Sequence, residues 1–235
     1  MSIADKLTLV AENEQKVYDA GCSNGKQAQY DLFWDTFQRN GTRTNYTYGF
    51  ANWIAAENIF KPKYDIKPVG SVANMFDGFQ TYISLPAVCE EQGIVMDFSR
   101  ATNFSYFMYN YCAIYRIGVI DCSSATNLNN AFHLASSLKI IDKLIVHEGI
   151  TSYTDCFAST ALLENITIEG VIAGTGFNVQ YHTKLTHDSL MSIINALKNY
   201  SGTTTTKTIT LGSTNLAKLT DSEKAIATQR GWTLA

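Results

Sequence analysis

Asp97 and Asp121 stand 24 residues apart in two nearly identical stretches, VMDFSRATNF (95–104) and VIDCSSATNL (119–128), and Glu148 and Glu169 fall at loosely equivalent places further on. If each ends a strand in a parallel stack, these carboxylates form a surface ladder about 5 Å apart, close enough to raise one another's pKa or attract a cation. The other reading of the position is a turn residue that bonds its own backbone. His133, His147, His182 and His187 are dispersed, and the five-residue spacing of the last pair puts them on different helical faces, so they read as solvated loop residues rather than metal ligands. Cys22, Cys89, Cys112, Cys122 and Cys156 are odd in number and form no Cys-x-x-Cys. They read as reduced and mostly buried, with no basic neighbour in sequence to make a thiolate. GVIAGTGF (170–177) is glycine-rich like a phosphate loop but lacks the Gly-Lys-Ser/Thr ending. The sequence therefore predicts no catalytic residue, no metal and no cofactor, and no turnover of glycans, peptides or esters. A carbohydrate hydrolase working through Asp97 and Asp121 is the catalytic alternative.

The paired stretches belong to a longer repetition. Phe107, Phe132 and Phe157 recur at 25-residue steps, and Ile114, Leu138 and Leu163 at 24 and 25. Upstream, SVANMFDGF with Phe76 reads as a degenerate first copy, followed by a longer insertion before Ile94. About four units thus occupy 71–172, each an apolar stretch (94–96, 117–120, 144–146, 166–168), a polar turn and an aromatic-anchored segment. No such unit buries its own apolar face, but a parallel stack of them has a continuous core. The predicted fold class is α/β: a short solenoid with a parallel sheet over roughly 94–180, whose core includes Phe107, Phe132, Phe157, Leu138 and Leu163.

Composition limits what such a stack can serve. The chain has 235 residues, 46% hydrophobic and 17% charged, with 13 tyrosines and 12 phenylalanines. That is enough to bury a substantial core and argues against disorder. Eighteen basic against 21 acidic residues, with no basic run, make nucleic acid a poor partner. Residues 1–20 carry charges that include Asp5, Lys6, Glu12, Glu14 and Lys16, and no apolar run approaches about 18 residues, so neither an export signal nor a membrane span is expected.

GITSYTDCFASTALLENITIEGVI (149–172) resembles the BspA-type leucine-rich repeat: Ile150, Thr151, Phe157, Leu163, Ile166 and Ile168 fall on its marks, and Glu169 stands where proline is usual. The other units match more loosely, so the resemblance covers about 100 residues. It implies a leucine-rich-repeat solenoid (71–185) with an adhesive or scaffolding role and no catalytic residues to carry over. The flanks, SIADKLTLVAENEQKVYDAG with YDLFWDTFQRNGTRTNYTYGFA and the segment from Leu185 to Ala235, resemble the ends of tail- or baseplate-associated proteins of phages and prophages of gut Firmicutes. That likeness implies a protein made in a bacterial cytoplasm and carried on a virion, binding a host-surface glycan or protein or other virion proteins. A bacterial surface adhesin of the BspA kind and a purely structural scaffold are the alternatives.

The flanks read as caps. Ser2 with Asp5 opens a helix (1–22) in which Ile3, Leu7, Val10, Glu14 and Val17 keep a narrow 4-3-4-3 seam, which either packs on its own domain or joins copies as a short coiled coil. Residues 30–38 read as a second helix within a helical, aromatic cap (23–70), where Tyr46, Tyr48, Phe50 and Trp53 read as core. Residues 186–235 read as a helix-strand-helix-strand cap: Thr186 opens a helix with Leu190, Ile193, Ile194 and Leu197 on one face, Thr208–Leu211 is a strand, Thr220 and Glu223 form a capping box, and Trp232 to Leu234 are the last strand.

Overall fold

The computed structural model describes residues 34–39, 41–53 and 60–235. The seam helix over 1–22 and the start of the second helix lie outside the described residues; of the latter, 34–37 is helical. The fold is mixed α/β with short sheets, and every strand pairing among the described residues is parallel. Among these residues no helix is long and apolar enough to cross a membrane.

Strand β1 (Gly70–Ser71) pairs with β2 (Ala101–Asn103). The main sheet has the order β3-β4-β5, with β3 at Arg116–Asp121, β4 at Ile140–Val146 and β5 at Asn165–Gly170. Its register aligns Ile117 with Ile141 and Ile166, then Ile120 with Leu144 and Ile168. All six side chains are buried, so the 24- and 25-residue steps of the sequence become rows of isoleucine and leucine across the sheet. The opposite face carries ion pairs between neighbouring strands, Arg116 with Asp142 at 2.9 Å and Lys143 with Glu169. Gly170 closes β5 at φ +98°, and a methyl group there would lie 1.9 Å from the Val146 carbonyl oxygen, so only glycine fits beside β4.

Both sheet edges are covered by helices. Helix α1 (Leu85–Gln92) starts at Ser84, has Pro86 in its first turn and ends at Gly93 in a left-handed conformation. Pro86 packs on β3: a methyl group at Gly118 would come within 3.2 Å of the proline ring. Residues 94–96, expected as the first strand of the sheet, do not join it. With α1 on the flank of β3, Met96 instead makes an isolated parallel bridge to Ile66. On the other side, α2 (His187–Ala196) substitutes for a strand. The Ile166 N–H donates to Ser189 Oγ at 3.0 Å and the Ile168 N–H to Ser192 Oγ at 2.8 Å. Three-residue spacing puts both hydroxyls on the helical face that meets β5.

A second set of hydrogen bonds runs beside the sheet. Segments 45–52, 71–78, 103–110, 127–134 and 152–159 share one eight-position pattern. At position 1, Asn45, Ser71, Asn103, Asn127 or Ser152 accepts through its side chain from the N–H two residues on. Position 2 (Tyr46, Val72, Phe104, Leu128, Tyr153) is fully buried. Positions 4 and 8 have positive φ throughout: Tyr48 and Asn52, Asn74 and Gly78, Tyr106 and Asn110, Asn130 and Leu134, Asp155 and Ser159. In the second and fourth copies the even-numbered N–H groups all reach the next copy; those of Leu128, Asn130, Phe132 and Leu134 donate to Ser152, Thr154, Cys156 and Ala158 at 2.8–3.0 Å. The odd ones close turns at home, as Ala131 to Leu128 and His133 to Asn130. Each backbone donor from position 2 to position 8 of this copy is therefore used.

This register revises two sequence expectations. The hydrogen bonds put Phe50, Phe76, Met108, Phe132 and Phe157 at position 6, so Met108, not Phe107, is the counterpart of Phe132. Phe107 is still core: its ring lies 5.4 Å from Phe76 and 6.3 Å from Phe132, within a column that continues through Phe157 to Phe177. Ile114, Leu138 and Leu163 are fully buried. The pattern also begins earlier than 71, because 45–52, read from the sequence as an aromatic cluster, is a copy of it. Its Tyr46, Phe50 and Trp53 are buried.

Past β5 and α2 come β6 (Lys207–Ile209), α3 (Ser213–Leu216), α4 (Asp221–Gln229) and β7 (Trp232–Leu234), with β6 and β7 paired in parallel. Thr220 and Glu223 make reciprocal bonds at the start of α4. Arg230 donates to the Ile194, Asn195 and Leu197 carbonyls at the end of α2, which ties α4 to the helix covering β5. Because the phenylalanine column has no slack, Phe157→Ala and Leu163→Ala are each expected to lower stability by about 3 kcal/mol in chemical denaturation. An unchanged midpoint for both would place these residues outside the core.

Candidate functional site

The eight-residue turns present their positions 4 and 7 toward the surface, joined by positions 3 and 8 in every copy but the second, where Ala73 and Gly78 are buried. In the third and fourth copies this puts Tyr106, Tyr109, Asn110, Asn129, Asn130 and His133 on one surface. The Tyr106 and Tyr109 rings meet edge to face at 5.0 Å, and Tyr109 meets His133 at 5.4 Å. His133 and Tyr109 are both at position 7, so this contact follows from the register. His133 Nδ1 donates to Asn130 Oδ1 at 2.9 Å, the only polarity an amide oxygen permits.

The third copy departs from the others at its end. Asn110 and Tyr111 both have positive φ, at +58° and +60°. The residue after position 8 is core in the other copies, where Trp53, Phe79, Ala135 and Thr160 are at most 3% exposed, yet Tyr111 is 66% exposed. Cys112 fills the interior instead, and burial pushes its thiol up to about 12. Two consecutive left-handed residues, one of them aromatic, are uncommon and costly, and such strain concentrates at functional sites. Tyr111 is thus turned outward on the turn that carries Tyr106 and Tyr109.

The carboxylates picked out by sequence are not brought together. Asp97 and Asp121 each accept from the N–H two residues on, Ser99 at 2.9 Å and Ser123 at 2.8 Å, so they are turn residues. Those bonds from Ser99 hold Asp97 below the ordinary carboxylate range. Glu169 is two strands from Asp121 with Ile145 between them in register, and Glu148, beyond the end of β4, pairs with Lys198 at 2.7 Å. An acidic ladder does not form, because an apolar residue interrupts the row and lysines engage both glutamates. His147 takes the place of the aspartate in the next copy: its Nδ1 accepts from Gly149 N–H and its Nε2 donates to the Ala125 carbonyl. His187 bonds Glu223 at 2.9 Å. No cluster of three or more potential metal ligands occurs among the described residues.

Cys122 and Cys156 are buried beside Tyr153, and desolvation raises both thiols. Cys89 lies at an apolar groove of about 460 Å³ between α1, the 94–98 segment and β3, lined mainly by Leu85, Pro86, Met96, Phe98 and Val119. Asp77, at position 7 beside the tyrosines, has its carboxyl raised by burial and bonded to the Asn110 side chain. Sequence reasoning singled out neither the tyrosine surface nor the groove, although the Asn-x-x-Tyr spacing of NYTY and NFSY was a usable signal.

No protein-family model, no curated protein and no solved structure matches the chain.

His182 is the one histidine in the core, 2% exposed, its ring edge-on to Phe157 at 6.3 Å. Burial holds its pKa below 6.5; the Val179 and Phe157 backbones act in the opposite sense, without either reaching good hydrogen-bond geometry. Below about pH 6.5 the unfolded chain takes up a proton that the folded one refuses, so the folded state loses stability as pH falls through that window. His182→Gln should flatten the dependence of the melting temperature on pH between about 7 and 5. An identical slope in both proteins would show that His182 does not titrate against folding.

Proposed function

We propose that this chain is a short leucine-rich-repeat solenoid of the BspA type, working as a non-enzymatic recognition protein that offers its repeat surface to a host-surface glycan or protein. The observation that carries the reading is the outward row of tyrosines, asparagines and a histidine on stacked turns. A rigid scaffold with one copy of each outward position per repeat suits recognition by several weak contacts. The resemblance of the flanks to phage and prophage proteins supports a site of action on a tail or baseplate, where many copies would bind together and gain affinity. Asp97 and Asp121, the pair on which a hydrolase reading would rest, are occupied as turn acceptors.

One observation favours the scaffold alternative. The outer sheet face is paired with itself through Arg116 with Asp142 and Lys143 with Glu169, which suits packing against other virion proteins more than capture of a ligand.

The full-length protein should bind gut Firmicutes cells, and Tyr106→Ala with Tyr109→Ala should weaken binding tenfold or more, about 1.4 kcal/mol, at an unchanged melting temperature. Binding that is indifferent to both substitutions moves the recognition surface elsewhere; no binding to any strain leaves the scaffold.

A further inference from the structure

Resting on that reading, we infer that the surface formed by Tyr106, Tyr109, Tyr111, Asn130 and His133 is a binding site for an uncharged glycan. The strongest sign is Tyr111, the one residue after position 8 that is turned out of the core, at the cost of a strained backbone. Tyr111 follows Tyr109 by two residues on the same turn, and Tyr106, itself 39% exposed, meets the Tyr109 ring edge to face at 5.0 Å. A pyranose ring shows a patch of C–H bonds on one face, which packs on an electron-rich aromatic face, and Tyr supplies such faces with little conformational entropy to lose.

The polar groups fit hydroxyls. His133 Nδ1 is committed as a donor to Asn130 Oδ1, which leaves Nε2 to serve as an acceptor in the tautomer that carries its proton on Nδ1 alone, and Asn130 offers its amide N–H groups as donors. A hydroxyl both donates and accepts, so one sugar hydroxyl can satisfy the pair. Neither a carboxylate nor an ammonium can, since the first only accepts and the second only donates.

Charge points the same way. Apart from His133, the only acidic or basic side chains across the five turns are Asp77 and Asp155, and none of the turns carries a lysine or arginine. Asp155 belongs to the last copy, and Asp77 has one oxygen buried while its carboxyl bonds Asn110. An anionic sugar would meet no lysine or arginine on these turns and would lose hydration without compensation. The charged side chains of the neighbouring sheet face, Arg116 with Asp142 and Lys143 with Glu169, are already paired with one another.

The test is calorimetric titration of the full-length protein with neutral oligosaccharides (oligomers of glucose, galactose and N-acetylglucosamine) and with anionic ones (sialylated and uronic-acid oligomers). At least one neutral oligomer should bind, and Tyr111→Ala and His133→Ala should each weaken it tenfold or more. Tyr181→Ala, which removes a tyrosine that is 72% exposed outside the five turns, should leave it unchanged. Preference for an anionic oligomer, or equal loss with Tyr181→Ala, overturns the inference. Cell binding separates its failure from that of the broader reading: cells bound through a protease-sensitive partner, with no oligosaccharide bound, leave the recognition role standing and remove the glycan.

Discussion

The alternation of backbone hydrogen bonds in the eight-residue turns is the constraint on which the rest of the structure depends. In the second and fourth copies even-numbered N–H groups go to the next copy and odd-numbered ones stay at home, so a turn that would otherwise be a loop has its donors used and is not free to slide. Position 6 is thereby held over position 6 of the next copy, which builds the phenylalanine column except in the third copy, where Phe107 at position 5 supplies the ring beside Met108, and the following segments reach the sheet with Ile117, Ile141 and Ile166 in register. A shift by one residue would turn those isoleucines to solvent and put charged residues into the core.

Stacking leaves two open edges, and the chain closes them with side chains as well as strands. At β5 two serines of α2 take the donors that another strand would have taken, and Arg230 fixes the far end of that helix. At β3 the helix inserted after Ser84 packs through Pro86 on a glycine. An edge covered in this way does not recruit another chain by strand addition, which leaves the turn surface as the recognition face in the proposed function.

Much of this was legible in the sequence where one residue type does one job. The recurrence of aspartate and asparagine in VMDFSRATNF and VIDCSSATNL reports turns whose side chains bond the backbone: Asp97 and Asp121 at one turn, Asn103 and Asn127 at the next. The capping residues of the C-terminal helices were legible for the same reason. Other features were not, because the repeat tolerates substitution wherever chemistry is shared. Met108 replaces phenylalanine and His147 replaces aspartate as an acceptor, so the letters misaligned by one residue or vanished while the bonds persisted. Helix α1 carried its signals, Ser84, Pro86 and Gly93, within a stretch that looked only like an insertion. The outward turn of Tyr111 could not be read at all, since its exposure follows from the backbone at Asn110 and Tyr111 rather than from either residue's identity.

Amide hydrogen exchange on the native protein tests the register most directly. Asn74, Asn130 and Leu134 lie in turns only partly shielded from solvent, yet each donates its N–H to the next copy. If the turns are stacked as described, these amides exchange as slowly as those of β4, opening only with cooperative unfolding. Exchange at the rate of free loops, with β4 still protected, would contradict the account: the turns would be loops beside a three-stranded sheet, and the tyrosine surface would have no fixed geometry.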